Sequence, residues 1–468
     1  MPLLSLARFF AAIVSAIILV AAGYLLWSWY EGAWIRDSTG DLVRLRDDWR
    51  LWTGAALLTW SFLGGSIFPL LLAKGGGRPS EAKHGSGATI DGASGSSLYV
   101  EELGPPEAPI LLFTHGWGMD STFWDYARKD LSGRFRLVVW DLPGLGRSQP
   151  PPGGAISLAN FAADLRELSE RFDRPVVLIG HSIGGMTIQT LARDHPEAMN
   201  RVAGVVLLNT TFTNPLKTMV FARVLTALQK PLLEPATHLT IWLSPLVWLS
   251  KWQSYLSGST HAAMRIGFGK FVTRSQLRHA ALLATRASPA IEGKGDLAMF
   301  RWDAAGALAR SETPVLVIGG DLDLVTKLEA SQDIASEAPG AQLRVVSGVN
   351  HMGPMERADL YNDAIAEFAL GLGPKAQRLR DEEPSPVVAE PSIGNVGDAR
   401  QASSPAAPAR SVAAEIVAAL PADVAVEVVE LGLNPHHVAG GHAAAALVQL
   451  VAADLTKRIQ RPFGLPAG

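Results

Sequence analysis

Cysteine is absent from the 468 residues of this chain. That absence removes disulfides, thiolate zinc sites and cysteine nucleophiles together. It does not choose a compartment, because a cysteine-free chain suits cytosol and periplasm alike. A dominant charge is lacking too: 41 Lys and Arg against 44 Asp and Glu leave a net charge of −3. With no basic stripe in the body of the chain, no nucleic-acid partner is expected. Repeats of fixed period are also missing, so solenoids and propellers are set aside. The length exceeds what one ordinary domain needs, and two or more regions are expected.

What is present begins at the N-terminus. Residues 9–30 and 51–73 are uncharged and predominantly apolar. At about 1.5 Å of rise per residue, each is long enough to cross a hydrocarbon core of roughly 30 Å. Trp27, Trp29, Tyr30, Trp34, Trp49 and Trp52 stand where an aromatic belt would lie. The first run, with Arg8 as its charged flank, also fits a cleaved signal peptide, but it extends past the usual apolar core of roughly 7–15 residues. Two transmembrane helices in residues 1–74 are therefore expected. Both outer flanks then share one side with Arg8, Lys74, Arg78 and Lys83, against Arg36, Arg44, Arg46 and Arg50 in the loop. The balance tips the rest of the chain toward the cytoplasmic side of a multi-pass membrane protein.

Residues 75–96 are rich in Gly and Ser and read as a flexible linker. From there, short apolar runs alternate with helical periodicity. The runs are 110–114, 137–140, 176–179, 202–208, 315–318 and 343–346, and the helical stretches include 158–172, 185–193 and 327–337. Most runs are continuous rather than alternating, as strands buried on both faces of a parallel sheet require. An α/β fold with a mostly parallel central sheet flanked by helices follows for residues 97–372. Residues 211–308 interrupt the alternation with a Trp-, Leu- and Ala-rich helical insertion. Residues 373–410 have the composition of a disordered linker, and 411–468 read as a small helical unit.

The chemistry-bearing residues fall at strand ends. Gly180-His181-Ser182-Ile183-Gly184-Gly185 follows the 176–179 run and precedes a helical stretch. The small residues let the chain turn sharply and leave the serine hydroxyl exposed at the strand's end. A serine needs a base. His351 sits after the last strand in Gly348-Val349-Asn350-His351-Met352-Gly353-Pro354. The imidazole in turn needs a carboxylate, and Asp321 and Asp323 compete after the 315–318 run, with Asp323 the choice and Asp321 the alternative. Two backbone N–H groups are needed for a developing oxyanion. Ile183 supplies one, and Trp117 in His115-Gly116-Trp117-Gly118-Met119 the other. His115 reads as a structural hydrogen-bonding residue.

Together these pieces resemble the α/β-hydrolase family over about residues 97–372, well over half the chain, with Asp141-Leu142-Pro143-Gly144-Leu145-Gly146-Arg147-Ser148 matching its D-x-P-G-x-G-x-S turn. The resemblance implies the α/β-hydrolase fold, with 211–308 as its lid. Members with an aspartate at the elbow open epoxides or displace halides, and Ser182 stands in that place here. The plan also resembles that of membrane-anchored monoacylglycerol lipases.

A membrane-anchored serine hydrolase is expected, acting on lipid-like or amphiphilic esters. The apolar lid, with Trp242 and Trp248, either touches the bilayer or packs on its own core. Thioester, lactone, carbon–carbon and cofactor-free perhydrolase or haloperoxidase chemistry remain open, as does a non-catalytic membrane receptor or scaffold. No cofactor or metal is expected, since the tail histidines His436, His437 and His442 have no acidic or cysteine spacing to complete a site. Oligomeric state is left open.

Overall fold

A computed structural model describes residues 2–373, so the expected segments after 373, tail histidines included, lie outside the described residues. The chain opens with a helical hairpin. Helix α1 (Pro2–Glu31) and helix α2 (Asp48–Leu72) are joined through a short antiparallel pair, β1 (Ala33–Arg36) and β2 (Leu42–Leu45). Both helices are long and apolar enough to cross a membrane, and only 11% and 17% of their most apolar windows are buried inside the protein. Close approach is set by glycine: a Cβ on Gly54 of α2 would lie 2.9 Å from Leu26 of α1.

The body is an eight-stranded sheet. Its strands are β3 (Ala88–Asp91), β4 (Ser97–Leu103), β5 (Ile110–Thr114), β6 (Arg136–Trp140), β7 (Val176–His181), β8 (Val202–Leu208), β9 (Val315–Gly320) and β10 (Gln342–Val346). The spatial order is β10-β9-β8-β7-β5-β6-β4-β3. All neighbours from β6 to β10 run parallel, and β4 and β3 add antiparallel at the far edge. Strands β5, β7, β8 and β9 are buried along their whole length, which is why their sequences read as continuous apolar runs. The six expected runs are β5 to β10. Edge strands β3 and β4 were not expected.

Helices α3 (Asp125–Leu131), α4 (Leu158–Glu170) and α5 (Ile183–Asp194) connect the first strands. The lid between β8 and β9 holds α6 (Pro215–Thr218), α7 (Ala222–Leu228), α8 (Glu234–Trp242), α9 (Ser244–Leu256), α10 (Ser259–Arg265), α11 (Arg274–Arg286) and α12 (Pro289–Met299). Helices α13 (Leu328–Glu337), α14 (Gly353–Glu356) and α15 (Ala358–Gly371) complete the described chain. Alternate residues of each strand point to opposite faces of the sheet. Leu112, Leu178, Val205 and Val317 therefore join one apolar layer, and Leu111, Ile179, Val206 and Ile318 the other.

Two features differ from the sequence expectation. Residues 75–96 do not hang free as a linker but lie along the body. Arg78 pairs with Asp130 at 2.8 Å, Ser80 Oγ meets His279 Nδ1 at 2.7 Å, Gly85 N–H donates to Glu101 at 2.8 Å, and the segment ends in β3. Polar side chains of the body recruit a segment whose own composition carries no structural signal. The lid, moreover, packs directly on the hairpin. Ser15 and Ser257 hydroxyls meet at 2.6 Å, and a Cβ on Gly64 would lie 2.2 Å from the Ser257 carbonyl oxygen.

Candidate active site

Strand β7 ends at His181 and α5 begins at Ile183, so Ser182 alone makes the turn. Its φ of 58° and ψ of −118° lie in a region that side-chain-bearing residues rarely adopt. Holding it there costs about 1–3 kcal/mol, which the surrounding structure must offset. Glycine makes the turn sterically feasible. A Cβ on Gly180 would sit 2.4 Å from the Gly184 carbonyl carbon, and one on Gly184 would sit 2.2 Å from the Thr114 oxygen. The Ser182 N–H is tied to the Leu208 carbonyl at 3.0 Å.

Three side chains from distant loops converge here. Ser182 Oγ lies 3.0 Å from His351 Nε2, and His351 Nδ1 lies 3.1 Å from Asp323 Oδ2. Ser182, Asp323 and His351 are all buried. Asp323 accepts from the Val325 and Thr326 amides at 2.8 Å each, from Thr326 Oγ1 at 2.9 Å and from Asn209 Nδ2 at 3.0 Å. Burial works to raise its carboxyl, but the His351 ring and these donors hold it below the usual carboxylate range. Asp321 lies elsewhere. It is exposed and binds Ser347 Oγ and the Gly348 amide at 2.8 and 2.6 Å, so it shapes the turn before His351 and does not reach the ring.

The loop after β5 flanks the serine. Trp117 and Gly118 line the same small cavity as Ser182 and His351. Among the described residues, neither the Trp117 nor the Ile183 backbone N–H has an acceptor. His115 is fully buried, donating from Nδ1 to the Gly116 carbonyl (2.9 Å) and accepting at Nε2 from the Leu142 amide (3.0 Å). Asp141 ties the following turn by accepting from Ser121 and Arg147 amides at 2.6 and 2.8 Å. The site therefore joins an activated-hydroxyl arrangement to a pair of free amide donors, the parts that acyl transfer needs.

Several residues escaped the sequence reading. Asn209, just past β8 with φ 44°, bridges Asp323 to the Tyr361 hydroxyl, which donates to it at 2.6 Å. Its position at a strand's C-terminal end was the available signal. His181 stacks on Phe123 at 4.6 Å and donates from Nε2 to the His351 carbonyl at 2.9 Å, fixing that backbone. Burial and the neighbouring His351 push its ring down to about 3, so it stays neutral. Leu4 and Arg8 of α1 also line the cavity, with no local signal beyond a single charge before an apolar run.

His84, Asp120 and Asp141 lie within 4.8 Å of one another, the one such grouping among the described residues. Asp120 is paired with Arg286 at 2.7 Å and Asp141 is occupied by backbone amides, so these carboxylates serve as structural acceptors.

Comparison with known proteins agrees with the fold. The model of the alpha/beta hydrolase family matches residues 111–364. The magnesium-chelatase 30 kDa subunit of Rhodobacter capsulatus is 29% identical over 285 residues, 58% of this chain and 91% of that one. The pimeloyl-[acyl-carrier protein] methyl ester esterase of Sodalis glossinidius is 36% identical over 110 residues, 24% of this chain and 39% of that enzyme. Among solved structures, a thermophilic esterase from Thermogutta terrifontis superposes with a TM-score of 0.50 at 24% identity, covering 62% of this chain and 99% of its own, a likeness of fold.

Proposed function

The chain belongs to the alpha/beta hydrolase family, and from that premise we propose that it is a membrane-anchored serine hydrolase cleaving carboxylic esters of lipid-like or amphiphilic substrates. The observation that carries this reading is the continuous relay from Asp323 through His351 to Ser182, with 3.1 and 3.0 Å links at a strained elbow. His351 takes the Ser182 proton as the oxygen attacks the ester carbonyl. The Trp117 and Ile183 amides receive the oxyanion. Protonated His351 gives its proton to the departing alcohol oxygen, leaving an acyl-serine. Water, deprotonated by His351, then releases the acid and restores Ser182. Asp323 stabilises the imidazolium and holds the ring tautomer throughout.

The domain division that goes with this reading is a two-helix anchor, a hydrolase body with its lid, and a C-terminal region of unassigned role. The anchor reading draws on the two apolar helices and on their outward-facing side chains, Val20 and Trp52 among them, each 71% exposed. The amphiphilic-substrate reading draws on the lid. Trp242, Leu246 and Leu249 on α8 and α9 are exposed, and α9 belongs to the lid that packs on the hairpin. Exposed apolar side chains beside a membrane helix suit the lipid interface. The flanking charges favour the hydrolase body on the cytoplasmic side.

A second reading has one observation behind it. The relative covered over 91% of its length is named as a subunit of a chelatase, which would suit a non-catalytic role on the same fold. A fluorophosphonate probe separates the two. Labelling and p-nitrophenyl ester hydrolysis that vanish in Ser182→Ala support the hydrolase. No labelling of the intact chain, or labelling that survives the substitution, overturns it.

A further inference from the structure

Helix α1 begins before its apolar run, and its N-terminal end packs on the hydrolase body, with Leu4 buried and residues 5–8 half-buried. Leu4 is buried in the same apolar layer as Trp117, and a Cβ on Gly267 would lie 3.5 Å from its side chain. Arg8 Nη1 donates to Glu292 Oε1 at 3.0 Å. Glu292, on α12, also receives Lys251 of α9 at 2.9 Å, and its carbonyl accepts from the Trp117 indole at 3.3 Å. One buried residue thus joins the first membrane helix and lid helix α9 through its carboxylate, and the loop beside Ser182 through its backbone carbonyl. Burial alone would raise the Glu292 carboxyl, but Arg8 and Lys251 hold it below its ordinary range, so it stays a carboxylate.

The cavity that these residues close over Ser182 and His351 has a volume of about 20 Å³. That holds about one water molecule. Pockets that bury a drug-sized ligand have about 300–1,000 Å³. The remaining walls belong to the sheet loops and to lid helices α10 and α11, which are packed into the core, at Met264, Ala280 and Ala284. Among the described residues, Leu4 packing, the Arg8–Glu292–Lys251 cluster and an Arg8 contact with the Ala284 carbonyl at 3.5 Å hold the α1 end.

Resting on the serine-hydrolase reading, we propose that the N-terminal end of the first membrane helix is a specificity-determining wall of the substrate site. Leu4 fills the space an acyl chain needs, the Arg8–Glu292 pair latches it there, and long-chain esters reach Ser182 when this end withdraws. Because the same helix continues into the anchor, its withdrawal opens the site along the helix, toward the bilayer. An ester presented by the membrane therefore has a shorter path than one dissolved in water.

The test uses the full chain in phosphatidylcholine vesicles, with p-nitrophenyl acetate and decanoate as probes. Leu4→Ala raises the decanoate-to-acetate ratio of kcat/KM by about tenfold, the discrimination that a few methylenes of pocket space supply. Leu4→Trp lowers that ratio, Leu4→Ile leaves it near its starting value, and Glu292→Gln shifts it in the direction of Leu4→Ala. In this cysteine-free chain, bridging a Leu4→Cys, Gly267→Cys double variant with a short bis-thiosulfonate stops decanoate turnover, and reductant restores it. An unchanged ratio in Leu4→Ala, or a bridged protein that turns over decanoate at the unbridged rate, overturns the inference while leaving Ser182-dependent hydrolysis intact. Hydrolysis that survives Ser182→Ala overturns the serine-hydrolase reading itself and this inference with it.

Discussion

Asp321 and Asp323 stand on one short loop and have opposite surroundings. Asp323 is buried under five donors that include His351, whereas Asp321 faces solvent and caps the Ser347–Gly348 turn. Asp323→Asn therefore lowers kcat by about 10⁴-fold, because an amide cannot hold the reactive tautomer of the ring. Asp321→Asn leaves kcat close to that of the unaltered chain, and steady-state hydrolysis of one ester by both variants decides the assignment. Asn209→Leu belongs to the same network. It strips a donor from Asp323 and an acceptor from Tyr361, and so costs about 1–3 kcal/mol in thermal unfolding. The sequence made the loop legible and favoured Asp323, but it could not exclude Asp321, since the two aspartates share the same strand end.

At the scale of elements, the elbow and the parallel strands were readable because their constraints are local. Gly180 and Gly184 are needed where the chain turns, and β5 to β9 are apolar because both faces are covered. Strand β3 was not readable. Its four residues are mostly exposed, it pairs on one side only, and its sequence lies within a Gly/Ser-rich stretch. The contact between hairpin and lid was equally hidden. A long apolar run reads as a membrane span, and its composition does not show which of its faces meets another element. Gly64 and Gly65 let α2 approach the backbone of Ser257 and Tyr255. Gly64→Leu drives a side chain into that carbonyl and costs about 1–3 kcal/mol, read as a lower unfolding midpoint in detergent. Gly23, with open space around it, tolerates the matching Gly23→Leu change.

For the whole molecule, buried imidazoles set the acid limit of stability. Burial pushes His181 down to about 3 and His279 to about 4, from an ordinary 6.5. Between pH 6.5 and those values the unfolded chain binds protons that the folded chain refuses. Stability therefore falls as pH drops through that window. The unfolding midpoint of the full chain declines steadily from pH 7 toward 4.5, and His279→Gln makes the decline shallower. A midpoint that rises on acidification would show that these rings are not buried neutral.

The sequence by itself determined the quantities that repeat along the chain or sit within one turn. These are the succession of strands β5 to β10 with helices between them, the glycine-framed serine, the histidine loop after the last strand, and two apolar runs of membrane length. Each follows from periodicity, residue size or local backbone geometry, which need no knowledge of distant neighbours. Only the tertiary structure decided which aspartate meets the imidazole, which segment of weak composition adheres to the body, and where the first helix ends. These outcomes depend on pairs of groups separated by tens to hundreds of residues, such as Asp323 with Asn209 or Arg8 with Glu292. Burial makes such pairs energetically decisive, because a polar group removed from water must find a partner wherever the chain happens to bring one.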